Sequence, residues 1–297
     1  MQIYKKNIYQ SIFKNYNQKK CVYLQVFMET KETTIEKTID LDKVLAAKGI
    51  KAPRWVVRLL KKLLHVDELN EGLYLHRDKQ GVDFAQAIID YIGVNVETSH
   101  TERIPTSGNP IIIANHPLGG PDGMALIAAV GKVRENIKFP VNDFLMHLPN
   151  LRDVFVPIDK VHGNRSTAAG INSTFAEDNV LLYFPAGLCS RRINGKIVDL
   201  EWKTTVIKKA IQHHRDLVPV HIEAQNRRRF YTIANLRKKL GIKFNFEMAL
   251  LPGEMFAQRG KKIKMTVGVP ISWQSLDDGR PAKLWAQELH DTIYTIN

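Results

Sequence analysis

Apolar residues recur along the chain at two distinct periods. At 53–66, Trp55, Val56, Leu59, Leu60, Leu63 and Leu64 repeat at helical spacing, while Arg54, Arg58, Lys61 and Lys62 crowd the other side. This predicts a basic amphipathic helix. Further helices are predicted at 83–94, 123–133, 204–214 and 282–294, and strands at 111–114, 154–158, 180–184, 217–223 and 263–267. The run at 111–114 is unbroken Ile-Ile-Ile-Ala, as a strand buried on both faces requires, and Pro185 stops the run at 180–184. Strands alternating with helices predict an α/β fold: a mixed, largely parallel sheet covered by helices, preceded by N-terminal amphipathic helices. No internal repeat or low-complexity linker divides the chain. The expected organisation is a loose extension at 1–27, poor in acidic residues and followed by a more ordinary beginning at Met28. A helical region at 28–94 then forms one globular unit with a domain at 95–297.

Composition narrows the partners. The 297 residues are 44% hydrophobic, which excludes a wholly disordered chain. Lys and Arg total 43 against 30 acidic residues, a net charge of +13 that suits a polyanion: nucleic acid, anionic lipid or an acidic protein. Cys21 and Cys189 have no metal-ligand spacing and make no disulfide framework, so a reducing compartment and no metal are expected. No run approaches the ~18 apolar residues needed to cross a bilayer, and the N-terminus lacks an apolar signal core. The protein is expected to be cytoplasmic or bound to a membrane surface. The 53–66 helix fits two readings equally. It can lie in a membrane interface through Trp55, Arg58, Leu59, Lys61, Lys62 and Leu63, or it can pack its apolar face on the domain.

Candidate chemistry lies in four segments. The first is Asn115-His116-Pro117-Leu118-Gly119-Gly120-Pro121-Asp122, directly after the 111–114 strand. Residues six apart on a continuous helix point in different directions, so His116 and Asp122 meet only if the chain turns at Gly119 and Gly120. Pro121 suits the first turn of a following helix, and a carboxylate is favoured there. Asp122 would hold one ring nitrogen of His116 and leave the other to take a proton. The second segment, Phe155 to Lys160 with His162, Asn164 and Arg165 beyond it, is a strand leading to cations. The third is Phe184-Pro185-Ala186-Gly187-Leu188-Cys189-Ser190-Arg191-Arg192: a strand end, a tight turn, and groups suited to cradling a phosphate or carboxylate. The fourth, Val218-Pro219-Val220-His221, is an apolar wall. Read singly, each has a plainer explanation: a capping Asp with a chance His, a solvated Lys, a basic loop.

Together, over about residues 95–225, the four resemble the lysophospholipid or glycerol-3-phosphate acyltransferase (PlsC-like) family. That family has a His–Asp motif after a strand, a Phe-to-Arg segment, Phe-Pro-Glu-Gly-Thr-Arg-Ser, and a Val-Pro-Val-like stretch. This chain differs in having five residues between His116 and Asp122 where the family usually has four. Ala186 stands for the usual Glu, Leu188 for the Thr and Lys160 for the Arg. These departures weigh against glycerol phosphate as acceptor. The pattern, with the tract Ile197 to Lys203, looks like the branch once described as putative hemolysins, which includes acyltransferases of ornithine-lipid and glycine-lipid synthesis.

The resemblance implies a glycerol-3-phosphate acyltransferase-like fold with 95–297 as the acyltransferase domain. It implies acyl transfer from an acyl carrier protein or coenzyme A thioester to the hydroxyl of a lysolipid, with N-(3-hydroxyacyl) amino acid lipids among the acceptors the branch uses. His116 would be the general base and Asp122 its orienting group. Backbone donors near the glycine turn would steady the oxyanion. Asn115, Gly119, Gly120, Lys160, Phe184, Pro185, Gly187, Ser190 and Arg191 would form the substrate site, with the anionic head on Lys160, Ser190 and Arg191. No cofactor or nucleophilic serine or cysteine is needed, because a thioester is already activated; Cys189 and Trp202 are expected to pack in the core. The expected place is the cytoplasm, peripheral on the anionic inner face of the cell membrane, without nucleic acid. Two rival readings are a nucleic-acid binder, from Arg227-Arg228-Arg229-Phe230-Tyr231 and Leu236-Arg237-Lys238-Lys239-Leu240, and an inactive lipid-binding scaffold, which Ala186 keeps open.

Overall fold

A computed structural model describes residues 38–47, 49–142, 145–157 and 172–296. Residues 1–27, and with them Cys21, lie outside the described residues, as do Lys160, His162, Asn164 and Arg165. Residues Ile39–Asn297 form one compact unit.

Its elements in order are α1 (Leu41–Ala47), α2 (Arg54–Leu63), α3 (Val66–Leu75), α4 (Gly81–Ile92), β1 (Asn95–Ser99), β2 (Ile111–Ala114), α5 (Gly120–Val130), β3 (Ile137–Val141) and β4 (Phe155–Pro157). Then come β5 (Val180–Tyr183), β6 (Arg191–Ile193), β7 (Lys196–Val198), α6 (Thr205–Gln212), β8 (Leu217–Glu223), α7 (Arg228–Lys239), α8 (Leu251–Phe256), β9 (Lys262–Val267), α9 (Trp273–Leu276) and α10 (Ala282–Thr292).

Seven strands form one sheet in the order β1-β9-β8-β2-β5-β3-β4. Every pair is parallel except β8 with β9, so the sheet is mixed and largely parallel, as expected. The strand β2 sits between β8 and β5, with Ile111, Ile112 and Ile113 opposite Leu217, Val218 and Pro219 on one side and Leu181, Leu182 and Tyr183 on the other. Its side chains alternate between two cores. Ile112 and Ala114 pack with Phe84 and Ile89 of α4 and Leu126 of α5. Ile111 and Ile113 pack with Val206 and Ile207 of α6 and Trp285 and Leu289 of α10. Helices on both faces explain the continuous apolar strands. The parallel arrangement brings the carboxyl ends of β2, β5 and β8 to one edge, where open α/β sheets bind ligands.

The helix α2 contains no buried residue. Trp55 is 68% exposed, and Leu59 and Leu63 one and two turns on are exposed too. The expectation that this face packs on the domain is therefore not met at that stripe. Arg58 and Lys62 are exposed beside it, while Lys61 donates to Asp42.

Candidate active site

Asn115 ends β2 by replacing backbone pairing with its side chain: Ile222 N–H donates to Oδ1 at 2.6 Å and Nδ2 donates to Ile222 O at 2.9 Å. Both amide atoms are thus committed to β8, and the chain turns out of the sheet at His116. Gly119 follows with φ +101, a region that favours glycine, and an added Cβ would lie 3.0 Å from Leu251 Cδ1. The turn delivers Asp122 to the first turn of α5, two positions after Gly120 and next to Pro121, fully buried.

Asp122 Oδ2 accepts N–H bonds from Leu118 at 2.8 Å and Gly119 at 3.3 Å, and Oδ1 accepts from Gly123 at 3.0 Å. His116 Nδ1 lies 3.1 Å from Oδ2. That contact is close but not well directed for a hydrogen bond, and Nδ1 is sealed from solvent. The ring is 17% exposed, so solvent reaches atoms other than Nδ1. Phe184, the residue after β5, stacks on the imidazole at 4.0 Å between centroids and 21° between planes, and its own edge meets Phe139. The His116 pKa is raised above its ordinary 6.5. Burial is the largest single influence and pulls it down, but the negative charge of the adjacent Asp122 carboxylate, with that of Asp199, outweighs it.

Sequence reasoning offered no role for Asp199. Buried behind the site, it accepts from His116 N–H at 3.1 Å, Ser190 Oγ at 2.5 Å and Trp202 Nε1 at 3.0 Å. Ser190 N–H in turn donates to His116 O at 2.7 Å. One carboxylate thus ties the loop after β2 to the loop after β5. Burial, the largest influence, raises its pKa against those donors. Trp202 and Cys189 are core residues, as expected, and burial pushes the Cys189 thiol up to about 11.

The fold turns two expected anion-binding groups inward. Ser190 is buried on Asp199, and Arg191 is buried with Nη2 2.9 Å from Glu247 Oε1 and Nη1 2.5 Å from Cys189 O. Glu247 Oε2 also lies 2.8 Å from Arg237 Nε, a close ionic contact rather than a well-directed bond. Pro185 and Gly187 form the turn between these groups and Phe184, closed by Gly187 N–H to Phe184 O at 3.0 Å. The amides of Leu118 and Gly119 are used by Asp122 and so do not face an oxyanion. Gly120 sits exposed at the first turn of α5, where an N–H has no intrahelical partner.

Cations do border the His116 loop, at the start of α7. Asn226 Nδ2 donates to Pro117 O and Leu118 O at 3.2 and 3.3 Å. Next to it, Arg227 and Arg229 are 41% and 50% exposed and both hold the fully buried Glu254, at 3.1 and 2.8 Å. Burial raises the Glu254 pKa most, but the hydrogen bonds from Arg229 and Arg227 together carry it below the usual value. The helix α8, which bears Glu254, touches the His116 loop through Leu251 and carries Phe256 against His65 at 5.3 Å, just beyond α2. Among the described residues no group of side chains is arranged to hold a metal ion, and no helix is long and apolar enough to cross a membrane.

A histidine beside a buried carboxylate, at the carboxyl edge of a largely parallel sheet, has the chemistry to take up and return a proton. The acyltransferase family model matches residues 42–283, and the chain belongs to this family of acyltransferases. It is similar to lyso-glycine lipid O-acyltransferases of Phocaeicola vulgatus and Bacteroides thetaiotaomicron. Each is 43% identical over 264 residues, covering 87% of this chain and 95% and 97% of the respective relatives. Among solved structures, the 1-acyl-sn-glycerophosphate acyltransferase PlsC from Thermotoga maritima aligns with a TM-score of 0.45 at 15% identity, over 86% of this chain and 87% of that one.

Proposed function

We propose that the protein moves a fatty acyl group from an acyl carrier protein or coenzyme A thioester to the hydroxyl of a lysolipid. The acceptor we assign is a lyso-glycine lipid, an N-(3-hydroxyacyl) amino acid with a free carboxylate. The observation that carries this reading is the His116–Asp122 pair at the exit of β2, in a chain 43% identical to two lyso-glycine lipid O-acyltransferases.

In this mechanism His116 Nε2 takes the proton of the acceptor hydroxyl as its oxygen attacks the thioester carbonyl. Asp122 fixes Nδ1 and stabilises the imidazolium. The first-turn N–H of Gly120 steadies the tetrahedral oxyanion. The C–S bond then breaks, and the thiolate leaves with the proton from His116. Asn115, Ser190 and Arg191 act by holding the loops, each through the contacts described above. With Lys160, the half-exposed Arg227 and Arg229 receive the acceptor's carboxylate; fixing both guanidiniums on Glu254 lowers the entropy cost of that contact. The exposed Trp55, Leu59 and Leu63 stripe, with Arg58 and Lys62, brings the protein to an anionic membrane surface, peripheral on the inner face of the cell membrane.

The test is acyl transfer by purified protein from an acyl-carrier-protein thioester, and separately from acyl-coenzyme A. The acceptors are N-(3-hydroxyacyl)glycine, N-(3-hydroxyacyl)ornithine and lysophosphatidic acid, with products read by mass spectrometry. A His116-dependent glycine-lipid product is expected. A folded protein that acylates lysophosphatidic acid instead would overturn the acceptor, and one that acylates none of them would overturn the reading.

A further inference from the structure

The far end of α7 and the loop that follows form a second exposed apolar surface, remote in sequence from α2. Leu236, Leu240, Ile242, Phe244 and Phe246 are all exposed, and Phe244 stands out at 77%. Between residues 224 and 246 the chain has seven cations and no acidic residue; Lys238, Lys239 and Lys243 lie among these apolar side chains. Exposed apolar clusters of this kind mark a partner outside the chain.

The surface is also built rather than loose. Gly241 takes φ +70, its N–H donates to Lys238 O, and Ile242 N–H donates to Arg237 O at 3.1 Å, the paired bonds of a helix-ending glycine motif. Arg237 Nη1 donates to Ile242 O at 2.6 Å. The same guanidinium contacts Glu247, which pairs with Arg191, whose neighbour Ser190 bonds the backbone of His116. A continuous series of polar contacts therefore runs from this surface to the loop that bears His116.

We propose that residues 236–246 are a wedge that enters the apolar margin of an anionic bilayer, a second membrane contact independent of α2. Phe244 and Leu240 insert, and Lys238, Lys239 and Lys243 meet lipid phosphates. A bilayer takes up protruding side chains without a matching hole, which a folded partner or a second copy would have to supply. Stacking of bases on Phe244 and Phe246 fits nucleic acid less well, because Leu236, Leu240 and Ile242 would stay exposed to water. The proposal deepens the membrane-surface reading above, and its test requires no turnover, so the two fail separately.

The experiment measures partition of the full chain onto vesicles of phosphatidylglycerol and phosphatidylcholine, and onto phosphatidylcholine alone. Leu240→Ser/Phe244→Ser should weaken binding to the anionic vesicles by about tenfold or more, and Lys238→Gln/Lys239→Gln/Lys243→Gln should make what binding remains less salt-sensitive. Val269→Ser, at an exposed apolar residue elsewhere, should leave partition unchanged. Activity on acceptor dispersed in detergent should be kept in both wedge variants. Unchanged partition in Leu240→Ser/Phe244→Ser would overturn the proposal. So would wedge variants that lose only oligonucleotide binding, or only self-association.

Discussion

The carboxyl edge of the sheet and the basic, apolar outskirts of α2 and α7 are opposites in how they treat unfavourable groups. At the edge, Asp122, Asp199, Glu247 and Glu254 are almost entirely buried, yet each is held by named donors. Burying that much charge is expensive, and apolar packing would stabilise the fold at least as well. The gain is position: these four groups fix the loops after β2, β5 and β8 relative to one another. In the outskirts the mismatch is left open. Trp55, Leu59, Leu240 and Phe244 face water with cations beside them. The first region answers its cost inside the chain, and the second leaves it to be answered by something outside.

The sharpest break of this contrast is at His116. His116→Ala should lower acyl transfer by about 10²–10⁴ while the far-ultraviolet circular dichroism spectrum keeps the native fold. Glu247→Ala should act on stability first, by about 3–5 kcal/mol, because Arg191 and Arg237 lose their shared carboxylate; chemical denaturation reads it directly. Arg229→Ala should raise the KM for the acceptor several-fold with kcat held, since the guanidinium lies outside the reacting pair; an unchanged KM would remove the carboxylate role. Smallest in stability is Trp55→Ser/Leu59→Ser in the outskirts. It should shift unfolding by no more than about 0.5 kcal/mol per residue and still weaken vesicle binding. A large loss of stability there would mean that α2 packs on the domain after all.

Much of this was readable from the pattern of residues. The strands at 111–114 and 217–223 match β2 and β8, because apolar runs buried on both faces have no other economical reading. His116 and Asp122 were legible as a pair because the glycine turn between them is local. Harder elements were those whose stability comes from elsewhere. The edge strand β1 is Asn-Val-Glu-Thr-Ser, β3 contains Pro140, and α7 has only Phe230, Tyr231 and Ala234 buried in a polar, basic sequence. The β6–β7 hairpin had a signal that went unread: Asn194-Gly195, both at positive φ. Arg191 and Ser190 were recognised, but not the direction they face. Their partners Glu247 and Asp199 are separated from them by 56 and 9 residues, and composition does not say which of two sides a loop turns to the core.

In the proposed reaction His116 works as a base under the control of Asp122. The direct test is the pH dependence of acyl transfer at saturating donor and acceptor, for the native chain and for Asp122→Asn. Only neutral imidazole takes a proton, so the rate should rise with pH through a midpoint above 6.5, the ordinary value from which His116 is raised. Asp122 is among the influences holding that midpoint up. Its replacement by Asn should therefore move the midpoint down while lowering the plateau. A profile that keeps both its midpoint and its plateau in Asp122→Asn would contradict the account.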